Sequence, residues 1–256
     1  MDNNVSVWFD NNDLSSITGL IINDHDFNQL PEKDIKISKI ARDDISIITS
    51  VDYVSKRVYV KGIVQKCDRY EAETVMNNLK ALLQLPNKVL KVQQYNTFVN
   101  YTATLEALTH EWFANNMKFE ITFLASDPIG EDIENSVIPL TTITTSAETI
   151  AFVVGGGYKV KPIITVSITS VTDGTGASLY LYNTTTNQTI IITRDWAADD
   201  LLVVDSDAKT VRCNGAFIDY QGSFPEFFPG SRALGYRDTF SARSVDVSGT
   251  YRKRYI

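Results

Sequence analysis

The 256-residue chain is long enough for one large all-β domain or two smaller ones. Its 43% hydrophobic and 21% charged residues suit a packed globular protein. Lys+Arg 24 against Asp+Glu 31 leaves a net charge of −7, which disfavours general nucleic-acid binding, a function that needs a basic face. No apolar run approaches the roughly 20 residues that cross a bilayer, so no membrane insertion is expected. The polar, acidic start Met1-Asp2-Asn3-Asn4 does not read as a secretory leader.

Val5 to Phe9 is a short apolar strand closed by the turn Asp10-Asn11-Asn12-Asp13. Ile17 to Ile22 reads as a second strand, and Lys33 to Ile40 alternates polar and apolar almost strictly, the period of a sheet with one wet face. Ile45 to Ile48 and Arg57 to Val64 continue the pattern, with Thr49 to Lys56 read as a loop between them. Asp68 is placed to cap a helix, with Glu71 three residues on. Ala72, Val75, Met76, Leu79, Leu82 and Leu83 share one helical face, Leu79 and Leu82 are expected to be buried, and Pro86 ends the helix. Strands resume at Val89 to Gln94, Phe98 to Leu105 and Met117 to Phe123.

Phe123-Leu124-Ala125-Ser126-Asp127-Pro128 then divides two differently patterned halves. Proline cannot donate to a ladder and pushes Asp127 out of the helical region. The Thr- and Ser-rich stretch from Glu131 to Ser146 reads as a linker or an edge strand. Beyond it come short strands: Thr149 to Val154, Pro162 to Thr169, Leu179 to Tyr182, Thr189 to Ile192, Leu201 to Asp205 and Thr210 to Arg212. Turn chemistry separates them, including the hairpin dipeptide Asn214-Gly215. Such spacing is that of a β-sandwich of jelly-roll type.

No catalytic, cofactor-binding or metal-ligating residue is expected. Gly155-Gly156-Gly157 follows a strand but no helix follows it, so a turning connection is preferred to a phosphate cradle. Cys67 and Cys213 lie in different halves, and His25 and His110 are isolated. Asp195, Asp199, Asp200, Asp205 and Asp207 cluster in sequence but sit at turns, where Asp is favoured for local hydrogen bonds rather than glycosidase chemistry. Tyr180, Tyr182, Trp196, Phe217, Tyr220 and Tyr236 are candidates for sugar stacking, although aromatics of a sandwich belong more often to its core. Arg252-Lys253-Arg254 is either a solvated strand edge or a contact with an acidic neighbour.

The order of these motifs resembles the distal tail (Dit) proteins of long-tailed bacteriophages. It is carried by Val58 to Val64 followed by the Asp68–Leu85 helix, by Phe123 to Pro128, and by Gly156 to Pro162. Tyr182-Asn183-Thr184-Thr185-Thr186-Asn187-Gln188, with Asn187 where the family has Gly, continues it. Leu201 to Asp205, Asn214-Gly215, Phe224 to Ser231 and Tyr251 to Ile256 follow in order. The resemblance implies a mainly β protein: a tail-tube-like β-sandwich or barrel with one helix over residues 1–133, then a galectin-like β-sandwich over 134–256. It also implies a structural, non-enzymatic virion protein of the siphophage tail tip, made in the host cytoplasm. Such a protein forms a ring, usually a hexamer, that joins the tail tube protein to the tail-tip hub protein and its receptor-binding proteins. The genome passes through the bore without specific binding. The Thr49–Lys56 segment stands where the family has a ring-completing loop. The alternative function is a carbohydrate-binding host-attachment module.

Overall fold

A computed structural model describes residues 6–26, 30–39, 46–65, 68–94, 97–113 and 116–256. Cys67 lies outside them. The chain is mainly β, its described strand registers antiparallel, and it divides into two compact units: Met1–Ile133 with Ile256, and Glu134–Tyr255.

The first unit begins with β1 (Val7–Phe9) and β2 (Asn12–Asp13). Asp10 and Asn11 close this hairpin with φ of 49° and 64°, the two left-handed residues that a type I′ turn demands. The expected second strand starts later than Ile17. Asp13 accepts from the Ser15 amide at 2.9 Å and caps a 3-10 turn at Leu14–Ser16, so β3 runs Leu20–Asp26. β4 (Lys33–Lys39) pairs with β5 (Ser46–Tyr53), Lys33 opposite Tyr53 and Ile35 opposite Val51. Most of the Thr49–Lys56 segment is therefore strand rather than loop.

β6 (Lys56–Gln65) alternates buried and exposed residues without a break. After it, Asp68 caps α1 (Arg69–Leu83), its carboxylate accepting from the Tyr70 amide at 3.2 Å. Ala72, Met76, Leu79 and Leu83 are the buried stripe, packed on β6 and the strand β8 introduced below; Val75 and Leu82 flank it and are half-buried. β7 (Lys88–Gln94), β8 (Thr97–Phe113) and β9 (Asn116–Ala125) form a meander, and β8 continues eight residues past Leu105. The strand order is β3-β6-β9-β8-β7-β1-β2. The core carries Phe9 stacked on Phe123 with centroids 5.3 Å apart. Gly62 is needed where it stands: a Cβ would lie 2.3 Å from the Ile21 carbonyl oxygen and 2.5 Å from the Phe119 ring.

β9 ends at Ala125, and Asp127 turns the chain by accepting from the Ile129 amide at 3.0 Å. The stretch read as a linker is instead β10 (Gly130–Ile143). Its first residues Glu131 and Asp132 pair with Asn100 and Val99 of β8, while Ile138 and Ile143 are buried in the second unit's core. Threonine suits a half-exposed strand, which is why composition alone did not separate the two readings.

The second unit is a sandwich. β11 (Ala147–Val154), β12 (Ile163–Thr172), β13 (Ala177–Asn183), β14 (Thr189–Arg194), β15 (Leu201–Asp205), β16 (Thr210–Cys213), β17 (Ala216–Phe217), β18 (Gln221–Gly222), β19 (Gly230–Asp238) and β20 (Ala242–Tyr255) follow in turn. One sheet has the order β11-β19-β13-β14-β18, the other β17-β16-β15-β12-β20-β10. Inward residues of both, such as Leu181, Leu234 and Tyr236 on one and Val166, Val204 and Val247 on the other, make a single core. Asn214 and Gly215, at φ of 52° and 82°, close β16 onto β17. Asn187 takes φ of 58°, a conformation asparagine tolerates where glycine is usual.

Candidate assembly and binding surfaces

The first unit leaves strand edges open. β7 pairs with one edge of β8 over Thr97 to Ala103, and β9 pairs with the other edge from Ala103 to Phe113. Among the described residues no strand covers the β7-side edge of β8 beyond Ala103, nor the outer edge of β3. Unpaired backbone groups in such a row are a template for another strand. The exposed face of these strands is charge-paired: Arg57 meets Glu106 through two hydrogen bonds of 2.8 and 2.9 Å, and Lys61 meets Glu120 at 3.4 Å. Lys118 lies over the Phe113 ring, 4.0 Å from its centroid.

The β4–β5 hairpin forms a two-stranded sheet of its own. Lys33, Asp34, Ile35 and Lys36 point to both sides of it, yet all four are exposed. Ser50 and Tyr53 of β5 are half-buried. A lone two-stranded hairpin is at best marginal in water.

Beneath the exposed face, Lys56 is 2% exposed, its ammonium 3.3 Å from the Tyr101 hydroxyl and 5.2 Å from that ring's centroid. Burial lowers the Lys56 pKa to about 8 against the opposing field of Asp26, and burial pushes the Tyr101 phenol up to about 12. Burial also lowers His25, chiefly over the raising effects of its own backbone hydrogen bond and of Asp24 and Asp26. His110 is exposed on β8, opposite Phe119.

In the second unit the six aromatic candidates do not converge. Tyr236 and Trp196 are core, the first donating to Asp238 at 2.7 Å and the second to the Ala177 carbonyl at 3.0 Å. Tyr180 and Tyr182 stand on the outer face of β13, under Arg237 and over Gly235 respectively. Only Phe217 and Tyr220, 66% and 39% exposed, offer open rings. Each borders its own cleft, one with Arg194, Asp195 and Asp219 and the other with Gln188, Ser206 and Lys209.

The aspartates hold turns. Asp195 accepts from the Gly176 amide at 2.8 Å, and Asp205 from those of Asp207 and Ala208 at 2.9 Å. Asp200 accepts from the Ala197 amide and the Asn214 side chain, Asp207 pairs with Lys161 at 2.9 Å, and Asp199 takes φ of 69°. Cys213 is buried, which pushes its thiol pKa up.

The three glycines meet the last strand. Gly156, at φ of 90°, lies against Arg254, where a Cβ would come within 2.6 Å of its carbonyl oxygen; that oxygen accepts from the amides of Gly157 and Tyr158 at 2.9 and 3.0 Å. Arg254 itself is 6% exposed, and its strand has neighbours on both sides, so the basic run is not a sheet edge. Arg252 is exposed and reaches Asn135 at 3.4 Å.

Residues 155–255 match the family of siphovirus-type tail components, C-terminal domain. Over its whole length the chain has the fold of the Dit protein (gp 19.1) of phage SPP1, a protein described as a paradigm of the hub adsorption apparatus in phages that infect Gram-positive hosts. That match has a TM-score of 0.71 at 15% identity and covers 98% of this chain and 99% of that one. The resemblance to distal tail proteins stated from the sequence is borne out. The activated baseplate of phage P2 with calcium aligns at a TM-score of 0.39 and 10% identity over 96% of this chain and 97% of that one. No curated protein matches the chain.

Proposed function

We propose that the protein is a structural ring at the distal end of the tail, joining the tail tube to the tip or baseplate, with assembly as its mechanism and no chemistry. The open edges of the first unit carry this reading. The four strands β3, β6, β9 and β8 alternate in direction, so the unpaired edge of β8 in one subunit and the β3 edge of the next run antiparallel when subunits are related by rotation. A head-to-tail joint of this kind gives a ring where the rotation between subunits closes, and it pairs both of these edges. A hexamer is the expected closure, with the β4–β5 hairpin covered by a neighbouring subunit or by the tube protein. If the charge-paired face lines the bore, Arg57–Glu106 and Lys61–Glu120 leave no free run of cations to hold passing DNA. The hub and receptor-binding proteins would attach through the sandwich.

The test is the mass of the assembly in solution by native mass spectrometry or light scattering. A closed oligomer of one size is expected. A strict monomer at all concentrations, and on tail-tube protein, would refute the ring.

A second role, attachment to carbohydrate on the host, is favoured by one observation: the two open aromatic rings of the sandwich, Phe217 and Tyr220, both border clefts.

A further inference from the structure

We infer that the cleft beside Tyr220 is a saccharide site, taking one or two sugar rings by stacking and hydroxyl recognition. This rests on the second role above and gives it a place. The cleft has a volume of about 360 Å³, within the size range of small-ligand sites. It lies wholly in the second unit, where the β15–β16 turn faces the segment Tyr220–Glu226.

Its lining has the two parts that a sugar ring needs. The apolar part is Tyr220, whose ring is 39% exposed and is steadied edge-on by Phe224 at 5.0 Å between centroids. A pyranose presents C–H groups on its face, and an accessible aromatic plane is their usual partner. The polar part is Gln188, Ser206, Lys209, Ser223 and Glu226, a mixed set of donors and acceptors. Ser206 is 1% exposed and its hydroxyl oxygen is buried with no hydrogen-bond partner in the protein. A buried hydroxyl in that state costs free energy that a ligand hydroxyl would recover.

The polar groups are held in place before any ligand arrives. The Gln188 side-chain carbonyl accepts from the Glu226 amide at 3.1 Å and from the Thr186 hydroxyl at 3.0 Å, which fixes its amide plane. Glu226 is neutralised by Lys159 at 2.6 Å, so the cleft has no unbalanced acidic wall, and Lys209 stands at its rim as a cationic donor. Gly222, at φ of 94°, lets the segment close on β14; a Cβ there would lie 2.1 Å from the Thr189 carbonyl oxygen. Lys209 also takes a left-handed φ, 53°, at the rim.

The experiment uses the full chain on a printed array of microbial glycans, with saturation-transfer NMR on the sugars that bind. Binding is expected, with transfer to sugar C–H protons. Tyr220→Ala, a surface change, is expected to weaken it about tenfold, and Ser206→Ala to weaken it less, while Phe217→Ala leaves it unchanged. Loss of binding in Phe217→Ala but not in Tyr220→Ala would overturn this cleft and leave carbohydrate attachment standing. Absence of binding to any glycan would overturn both, and the ring would be untouched.

Discussion

Arg243 and Asp238 form an ion pair inside the sandwich, Nε 3.0 Å from Oδ1, with side chains 7% and 0% exposed. The carboxylate is fully used: it also accepts from the Tyr236 hydroxyl at 2.7 Å and the Phe240 amide at 2.9 Å, while Arg243 donates to the Phe240 carbonyl. A pair so enclosed contributes little net stability, but removing one member strands the other. Asp238→Ala is therefore expected to destabilise the second unit by about 3–5 kcal/mol. The double change Asp238→Leu with Arg243→Met should recover most of that loss. Urea unfolding of the three proteins in a Trp8→Phe, Trp112→Phe background, followed by the fluorescence of Trp196, measures both.

Lys56 and Tyr101 give the first unit a pH signature. The Lys56 pKa falls from 10.5 to about 8 on folding, so between those values the unfolded chain holds a proton that the folded chain has released. Stability then rises with pH through that window. Tyr101 moves the opposite way, from 10.0 to about 12, so above about pH 10 the unfolded chain loses a proton that the folded one keeps, and stability falls. The melting temperature by calorimetry should climb above pH 8, peak near about pH 10 and decline. Lys56→Met should abolish the climb and leave the decline; a climb that survives the substitution would assign it to another group.

The helix separates two leucines that look alike in sequence. Leu79 is fully buried and Leu82 only partly. Leu79→Ala should cost about 2–5 kcal/mol, and Leu82→Ala distinctly less. Equal losses in denaturant titrations would mean that Leu82 is buried by something beyond the isolated chain.

What was legible in the sequence was local. The alternation of Arg57 to Val64, the Asp68 cap and the Asn214-Gly215 turn are each set by neighbours a few residues away, and each was placed nearly correctly. What was missed depends on distant partners. Thr49 to Tyr53 reads as polar loop until β4 lies beside it, and β10 reads as linker until β20 does. The far half of β8, through Thr109-His110-Glu111, has no apolar period because both its faces are exposed. Arg254 reads as a solvated edge or a contact with an acidic neighbour, and it is buried with its guanidinium 5.9 Å from the Tyr158 ring centroid. Of the candidate aromatics, only burial distinguishes Tyr236 from Tyr220; their sequence contexts do not.

The division of labour between the units can be tested by cutting the chain where they divide. The open β8 and β3 edges and the β4–β5 hairpin all belong to residues before Glu134, whereas the sandwich uses β10 from that point, with Ile138 and Ile143 in its core. A sandwich fragment must therefore begin at Glu134; one beginning near Thr145 would lose both isoleucines and an entire strand. The fragment 1–133 is expected to form a closed oligomer, at high concentration or on tail-tube protein, because it retains both edges that meet in the joint. The fragment 134–256 should fold and stay monomeric, its sheets closed by their own core. Light scattering on each fragment decides the matter: a ring from 134–256 alone, or a strictly monomeric 1–133 on the tube protein, would move the assembly surface out of the first unit.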